Sequence, residues 1–100
     1  MEISTKCIAP EVLKEKLKSE NNIIIIDVRS FYEYTEKHIP AAVNIPLPLL
    51  EKEIMCFSKE KFYVTAGGKC GGRSAEAAEF IVKSGYVSTW LCNGTFGWFE

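Results

Sequence analysis

Apolar runs and polar, helix-like stretches alternate along this chain, and the alternation predicts its elements. Pro10-Glu11 suits a first helical turn, where proline needs no N–H and an acid meets the positive helix end. Val12, Leu13 and Leu17 then form an apolar face, with Lys14, Glu15, Lys16 and Lys18 opposite. Asn21-Asn22 ends that helix. Ile23-Ile24-Ile25-Ile26-Asp27-Val28 is an unbroken β-branched run between turn residues, which predicts a strand buried on both faces. Phe31 to Lys37 predicts a short amphipathic turn or helix, and Ile39-Pro40-Ala41-Ala42 a bend. Val43-Asn44-Ile45 predicts a short strand that Pro46 stops.

In the second half, Leu47 to Met55 predicts a helix with Leu49, Leu50 and Ile54 inward, and Lys61 to Thr65 a strand. Ser74 suits the N-cap of a helix through Lys83, whose apolar side is Ala75, Ala78, Ile81 and Val82. Gly85 suits its stop. Val87 to Leu91 predicts a last strand and Asn93-Gly94 a turn, after which Phe96, Trp98 and Phe99 pack the final segment down. Strands alternating with helices predict an α/β fold: a small, largely parallel central sheet flanked by helices in three layers. Ligands in such folds sit beyond the carboxyl ends of the strands.

One loop leaves such a strand end and enters a helix: Gly67-Gly68-Lys69-Cys70-Gly71-Gly72-Arg73-Ser74. Its glycines let backbone N–H groups turn inward, and the helix behind it aims its positive end at the loop. Such a loop holds an anion, and a thiolate is an anion. Gly68, Lys69, Gly71, Gly72, Arg73 and Ser74 are therefore the candidate anion-binding residues and Cys70 the candidate nucleophile. Arg73 has two roles open to it: binding a donor's anionic end, or pairing with a carboxylate to cap the loop. Asp27 and Arg29, at another strand's carboxyl end, are expected to support the site, and Arg29 to pair with Glu33 four residues on.

Length and charge bound these readings. One hundred residues fit one domain, 1–100, able to bury roughly 60–65% of the surface its unfolded form exposes. A net charge of −1 gives no electrostatic footprint for nucleic acid or anionic membrane. No apolar stretch suits a signal peptide or a membrane span, so the expected compartment is the cytoplasm. Four cysteines without a C-x-x-C pair, and His38 as the single histidine, do not suggest zinc, and no metal or other cofactor is expected. Disulfides are not expected in a reducing cytoplasm, so Cys7, Cys56 and Cys92 are read as small buried hydrophobes.

Taken together, the chain resembles the rhodanese-like (sulfurtransferase) family in its single-domain form. Ile25-Ile26-Asp27-Val28-Arg29 is similar to the family's hDVR strand end. Glu33-Tyr34 with His38-Ile39-Pro40-Ala41-Ala42-Val43-Asn44-Ile45-Pro46 resembles its E-[FY]-x-x-G-H-I-P-G-A-x-N-I-P stretch. Gly71 to Ala78 resembles the tail of the active-site loop and its helix, and Leu91 to Trp98 the closing L-x-G-G-h-x-x-W. Lys37 and Ala41 stand where that pattern has glycine, and Asn93 replaces the first glycine of the closing pair. The loop departs most. Anchored on Gly71, Arg73 and Ser74, the pattern C-x-x-G-x-R-S puts its cysteine at Gly68, and Cys70 comes two residues later.

The resemblance implies a cysteine that takes sulfane sulfur from a small anionic donor such as thiosulfate, then passes it to a thiol or cyanide. It also implies that Asp27 and His38 are structural. Two classes of function stay open. One is a sulfurtransferase or sulfur carrier with Cys70 as a displaced nucleophile. The other is a catalytically inactive module that binds an oxyanion or a partner protein through the 67–73 loop. A phosphatase or arsenate reductase of related fold is disfavoured, because only Gly71 and Gly72 separate Cys70 from Arg73.

Overall fold

A computed structural model describes residues 6–68 and 71–99. In chain order the elements are β1 (Cys7–Ile8), α1 (Pro10–Ser19), β2 (Ile23–Asp27), α2 (Phe31–Glu36) and β3 (Val43–Asn44). There follow α3 (Leu47–Glu53) with a 3₁₀ turn (Ile54–Cys56), β4 (Phe62–Ala66), α4 (Gly72–Lys83), β5 (Val87–Leu91) and α5 (Gly94–Trp98). The described strands form one sheet, ordered β1-β5-β4-β2-β3, and every pairing is parallel.

Side chains alternate across a strand, so the isoleucine run serves two cores at once. Ile23 and Ile25 join Leu13, Ile39, Val64, Ala66 and Leu91 on one face of the sheet. Ile24 and Ile26 join Leu50, Tyr63, Ala77 and Ile81 on the other. A strand with helices on both faces has no solvent side, which is why the run carries no polar residue before Asp27.

The helices follow their sequence signals with local corrections. α1 starts at Pro10 as expected, but Val12 and Leu17 are 47% and 37% exposed, and only Pro10 and Leu13 are buried. In α3, Leu50 is buried while Leu49 is 51% exposed. α4 begins at Gly72 with Gly71 as N-cap, so Ser74 lies inside the first turn and does not cap it. Gly85, at φ 100°, follows the last turn as expected. Two elements escaped the pattern: the two-residue edge strand β1, and α5, where a turn and a packed segment were expected.

The cysteine expectations also need correction. Cys7 and Cys92 form a disulfide across 85 residues, with α-carbons 5.1 Å apart. Parallel pairing of β1 with β5 sets Cys7 opposite Trp90 and Ile8 opposite Leu91, bringing the end of β5 beside the edge strand. The spacing in sequence carries no trace of this, because the register is a long-range property. Cys56 is exposed on the 3₁₀ turn, not buried.

The two leucines of α3 give a direct test of the packing. Leu50→Ala is expected to destabilise the fold by about 2–5 kcal/mol, and Leu49→Ala by about 0.5 kcal/mol or less, in urea unfolding. Equal effects would mean that α3 packs in another orientation.

Candidate functional site

β2 runs on to β3 at one side of the sheet, and β4 runs on to β5 at the other. The order therefore reverses between β2 and β4, the place where open α/β sheets leave a crevice beyond the strand ends. The loops after β2 and β4 border that crevice, with the segment after β5 beside them.

After β2, Asp27 and Arg29 are 1% exposed each. The Arg29 guanidinium donates to Asp27 through Nε (3.0 and 3.3 Å) and Nη2 (2.8 Å), and the Arg29 backbone N–H donates to the same carboxylate at 3.0 Å. Nη2 also donates to the Lys37 carbonyl at 2.6 Å, which fixes the end of α2. The expected Arg29–Glu33 pair is therefore absent: Arg29 turns inward to Asp27, and Glu33 points to another partner. His38 accepts or donates a hydrogen bond at Nδ1 with the Tyr34 carbonyl (2.8 Å) and stacks on the Tyr34 ring, a structural placement.

Glu33 joins the two loops. It closes a capping box with Ser30 at the start of α2. It also takes a two-pronged pair from Arg73, Nη1 to Oε1 at 2.8 Å and Nη2 to Oε2 at 3.1 Å. The Arg73 hydrogen bond and the Ser30 backbone N–H hold the Glu33 carboxyl down to about 2 from an ordinary 4.5. The same bond raises the Arg73 guanidinium above its ordinary value. Of the two roles open to Arg73, the structure gives it the carboxylate partner.

The loop after β4 is held from below by the segment after β5. The Thr95 N–H donates to the Gly67 carbonyl at 2.8 Å. Asn93 and Gly94 both have positive φ, 64° and 62°, and carry the chain into α5. Any Cβ on Gly94 would run into the Gly68 carbonyl. A Cβ on Gly71 would meet the Trp90 ring, whereas one on Gly68 would have Phe96 at 3.9 Å as its nearest neighbour, an ordinary contact. Ser74 is fully buried, and its carbonyl accepts from Thr65 Oγ1 at 2.7 Å. Gly72 has open space around its α-carbon. Lys69 and Cys70, the candidate anion-binding lysine and the candidate nucleophile, lie outside the described residues.

Beside the loop, Arg29, Tyr32, Glu33, Glu36, Lys37 and Phe96 line an open cleft of about 380 Å³. A second hollow of about 370 Å³, between α3 and α4, presents Glu51 and Glu76 among apolar residues. Among the described residues no cluster of metal-ligating side chains occurs, and no helix is long and apolar enough to cross a membrane.

The chain is thus a parallel α/β domain with a glycine-rich loop at the switch point of its sheet and a helix behind that loop. The rhodanese-like domain model matches residues 9–100, and the chain belongs to that family. It is 31% identical to the putative sulfurtransferase YtwF of Bacillus subtilis, over 93% of this chain and 89% of that one. It is 35% identical to the putative sulfur carrier protein YrkF of the same organism, over 79% of this chain but only 42% of that longer protein. The thiosulfate:glutathione sulfurtransferase of Saccharomyces cerevisiae is 34% identical, over 78% of this chain and 65% of that one. The fold superposes on a rhodanese-related protein from Thermoplasma volcanium with a TM-score of 0.84, at 27% identity over 95% of this chain and 91% of that one.

The Glu33–Arg73 pair makes acid stability a readout of how the loops are joined. Because the folded carboxyl titrates lower than the unfolded one, its stabilisation is complete above about 4.5 and is lost as pH falls toward about 2. Arg73 and Glu33 are 44% and 37% exposed, so solvent screening keeps the contribution to about 1 kcal/mol or less. Glu33→Gln is expected to lower stability at neutral pH by that amount and to flatten the decline between those two pH values. An unchanged acid limb in the variant would show that the pair does not form in solution.

Gly94 gives a sharper test of the loop's support. Gly94→Ala must displace the Gly68 carbonyl and also place alanine at positive φ, which together are expected to cost about 2 kcal/mol or more. A fully stable Gly94→Ala protein would mean that the two segments do not touch.

Proposed function

We propose that the chain is a sulfurtransferase or sulfur carrier in which Cys70 is the nucleophile. What carries this reading is the placement of the Gly67–Gly72 loop between the end of β4 and the first turn of α4, in a chain of the rhodanese-like family with a single cysteine in that loop. The first N–H groups of a helix have no partner within it, and the 12-residue α4 directs its own toward the loop. These dipoles favour a thiolate over a thiol at a residue one peptide bond before Gly71.

The chemistry balances with a sulfane donor such as thiosulfate. The Cys70 thiolate attacks the outer sulfur, a new S–S bond forms, and the donor's S–S bond breaks with sulfite leaving on the electron pair. The resulting persulfide then gives its outer sulfur to an acceptor thiolate or cyanide, which restores the Cys70 thiolate. Relatives named as a sulfur carrier and as a thiosulfate:glutathione sulfurtransferase support a small sulfur donor and a thiol acceptor. The 380 Å³ cleft beside the loop, with both charge signs and two aromatic rings, is the entry proposed for them. The site residues are then Cys70 for catalysis, Gly68, Lys69, Gly71, Gly72 and Ser74 for the anion, and Arg73 as the strut to Glu33.

A second reading rests on the glycine at position 68: the domain keeps the anion loop but binds only an oxyanion or a partner protein. Intact mass after thiosulfate treatment separates the two. The expected result is a cyanide-labile gain of one sulfur atom on the wild type that disappears in Cys70→Ser. Since position 68 accepts a side chain, Gly68→Cys in a Cys70→Gly background is expected to load sulfur as well. If this variant loads and the wild type does not, the binding-module reading is correct.

A further inference from the structure

The Cys7–Cys92 disulfide takes no part in the proposed sulfur transfer. It sits at the edge of the sheet, where β1 is only two residues long and pairs with β5. Besides that pairing, β1 is fastened by the Cys92 N–H, which donates to the Ile8 carbonyl at 2.9 Å, and by the Thr89 hydroxyl, which donates to the Lys6 carbonyl. Cys7 is exposed and Cys92 half-buried, so a reductant reaches the bond from solvent. A hollow of about 220 Å³, lined by Pro10, Glu11, Lys14, Asn93 and Gly97, opens between the start of α1 and the turn after Cys92. Exposed disulfides are the ones that exchange readily with thiols, whereas buried structural ones resist.

What the disulfide holds is the foot of the glycine loop. Cys92 is the first residue after β5, and Asn93 and Gly94 follow it at positive φ. Three residues beyond Cys92, the Thr95 N–H donates to the Gly67 carbonyl at 2.8 Å, and Gly94 packs against the Gly68 carbonyl. The Gly97 N–H closes the turn on the Asn93 carbonyl at 3.0 Å. On the side of the other cysteine, the chain enters α1 at Pro10, and Lys14 Nζ donates to the Trp98 carbonyl at 2.8 Å. The disulfide therefore joins two segments that also meet at α5, close in sequence to the bond that fixes Gly67. A crosslink at that point limits local opening of the turn that follows it.

We propose that Cys7–Cys92 is a reversible redox site whose state sets how firmly the 93–95 turn grips Gly67 and Gly68. Its co-reactant is a dithiol. A thiolate of the dithiol attacks the exposed Cys7 sulfur, the protein's S–S bond breaks, and Cys92 leaves as a thiolate with the bond's electron pair. The second thiolate of the reductant then displaces Cys7 from the mixed disulfide and closes the reductant's own S–S bond. Two electrons pass to the protein, two protons convert its cysteines to thiols, and the dithiol becomes a disulfide. Oxidised, the site clamps the edge strand and the foot of the loop together. Reduced, it leaves the turn free to open locally. This holds whether or not the loop carries sulfur.

The test is amide exchange followed residue by residue by NMR, in a Cys56→Ser, Cys70→Ser background so that no free thiol reshuffles the bond. Dithiothreitol is the dithiol, and peptide mass reports the state of Cys7 and Cys92. The Thr95 and Gly97 amides report the turn, and the amides of β2 report the whole fold. Breaking a crosslink that spans 85 residues also lowers global stability, so Leu50→Ala in the oxidised protein is the control for that loss alone. Dithiothreitol is expected to reduce the bond in the folded protein, after which the Thr95 amide exchanges about tenfold faster. Reoxidation is expected to restore the slow rate, and Cys7→Ser to reproduce the fast one. Leu50→Ala is expected to speed the β2 amides and leave Thr95 as it was. Equal acceleration of Thr95 in Leu50→Ala would mean that the bond acts through global stability alone, and it overturns the proposal. So does an unchanged Thr95 amide after reduction, a bond that opens only once the chain is denatured, or a chain that unfolds altogether when reduced. Should Cys7→Ser fail to fold, the reduced and reoxidised protein still gives the comparison.

Discussion

The buried Asp27–Arg29 pair is the interaction on which the site end of this molecule depends. Removing a carboxylate and a guanidinium from water is expensive, and the geometry offsets that cost only if nearly every donor and lone pair is used. Here the guanidinium gives three bonds to Asp27 and one to the Lys37 carbonyl, and the Arg29 backbone N–H adds another. The strand end is then tied outward. The Asp27 carbonyl accepts from the Ile45 N–H and from Asn44 Nδ2, and the Phe96 ring lies over the guanidinium at 5.6 Å. β2, β3, α2 and α5 meet around one ion pair. Lysine could not replace Arg29, since a single ammonium cannot form the planar fork.

Two kinds of force position the glycine loop, and they differ in strength. Its stem is fixed by backbone: the Thr95–Gly67 hydrogen bond and the close approach of Gly94 to Gly68. Its far side is fixed by the half-exposed Glu33–Arg73 pair, which salt and solvent weaken. The stem is therefore the rigid end and the helix side the adjustable one.

Much of the fold was legible in the sequence, because it rests on local patterns. The isoleucine run, the glycine after α4 and the strand–helix alternation are each decided within a few residues, and each appears where the pattern puts it. The exposed Leu49, Val12 and Leu17 mark the limit of such reasoning: short helices on a small sheet bury one row of side chains, and periodicity alone does not choose the row. Ser74 looked like a cap because caps and first-turn residues share a composition. Cys7–Cys92, Glu33–Arg73 and the fixing of Gly67 by Thr95 join residues 85, 40 and 28 positions apart. No local signal encodes such pairings. The nearest hint is Glu33 itself, whose helical spacing from Arg29 points to the wrong arginine.

The pairing of the arginines sets the local charge at this end of the sheet. With Arg29 neutralised by Asp27 and Arg73 by Glu33, neither guanidinium offers a free positive charge to the loop. The Lys37 ammonium lies over the Phe99 ring, 4.3 Å from its centre. Among the described residues, the positive field at the entry to α4 then comes from dipoles, the amides of its first turn. Dipoles fixed by a scaffold need no reorganisation when charge shifts within a site. They also act at short range only, and the chain as a whole carries a net charge of −1.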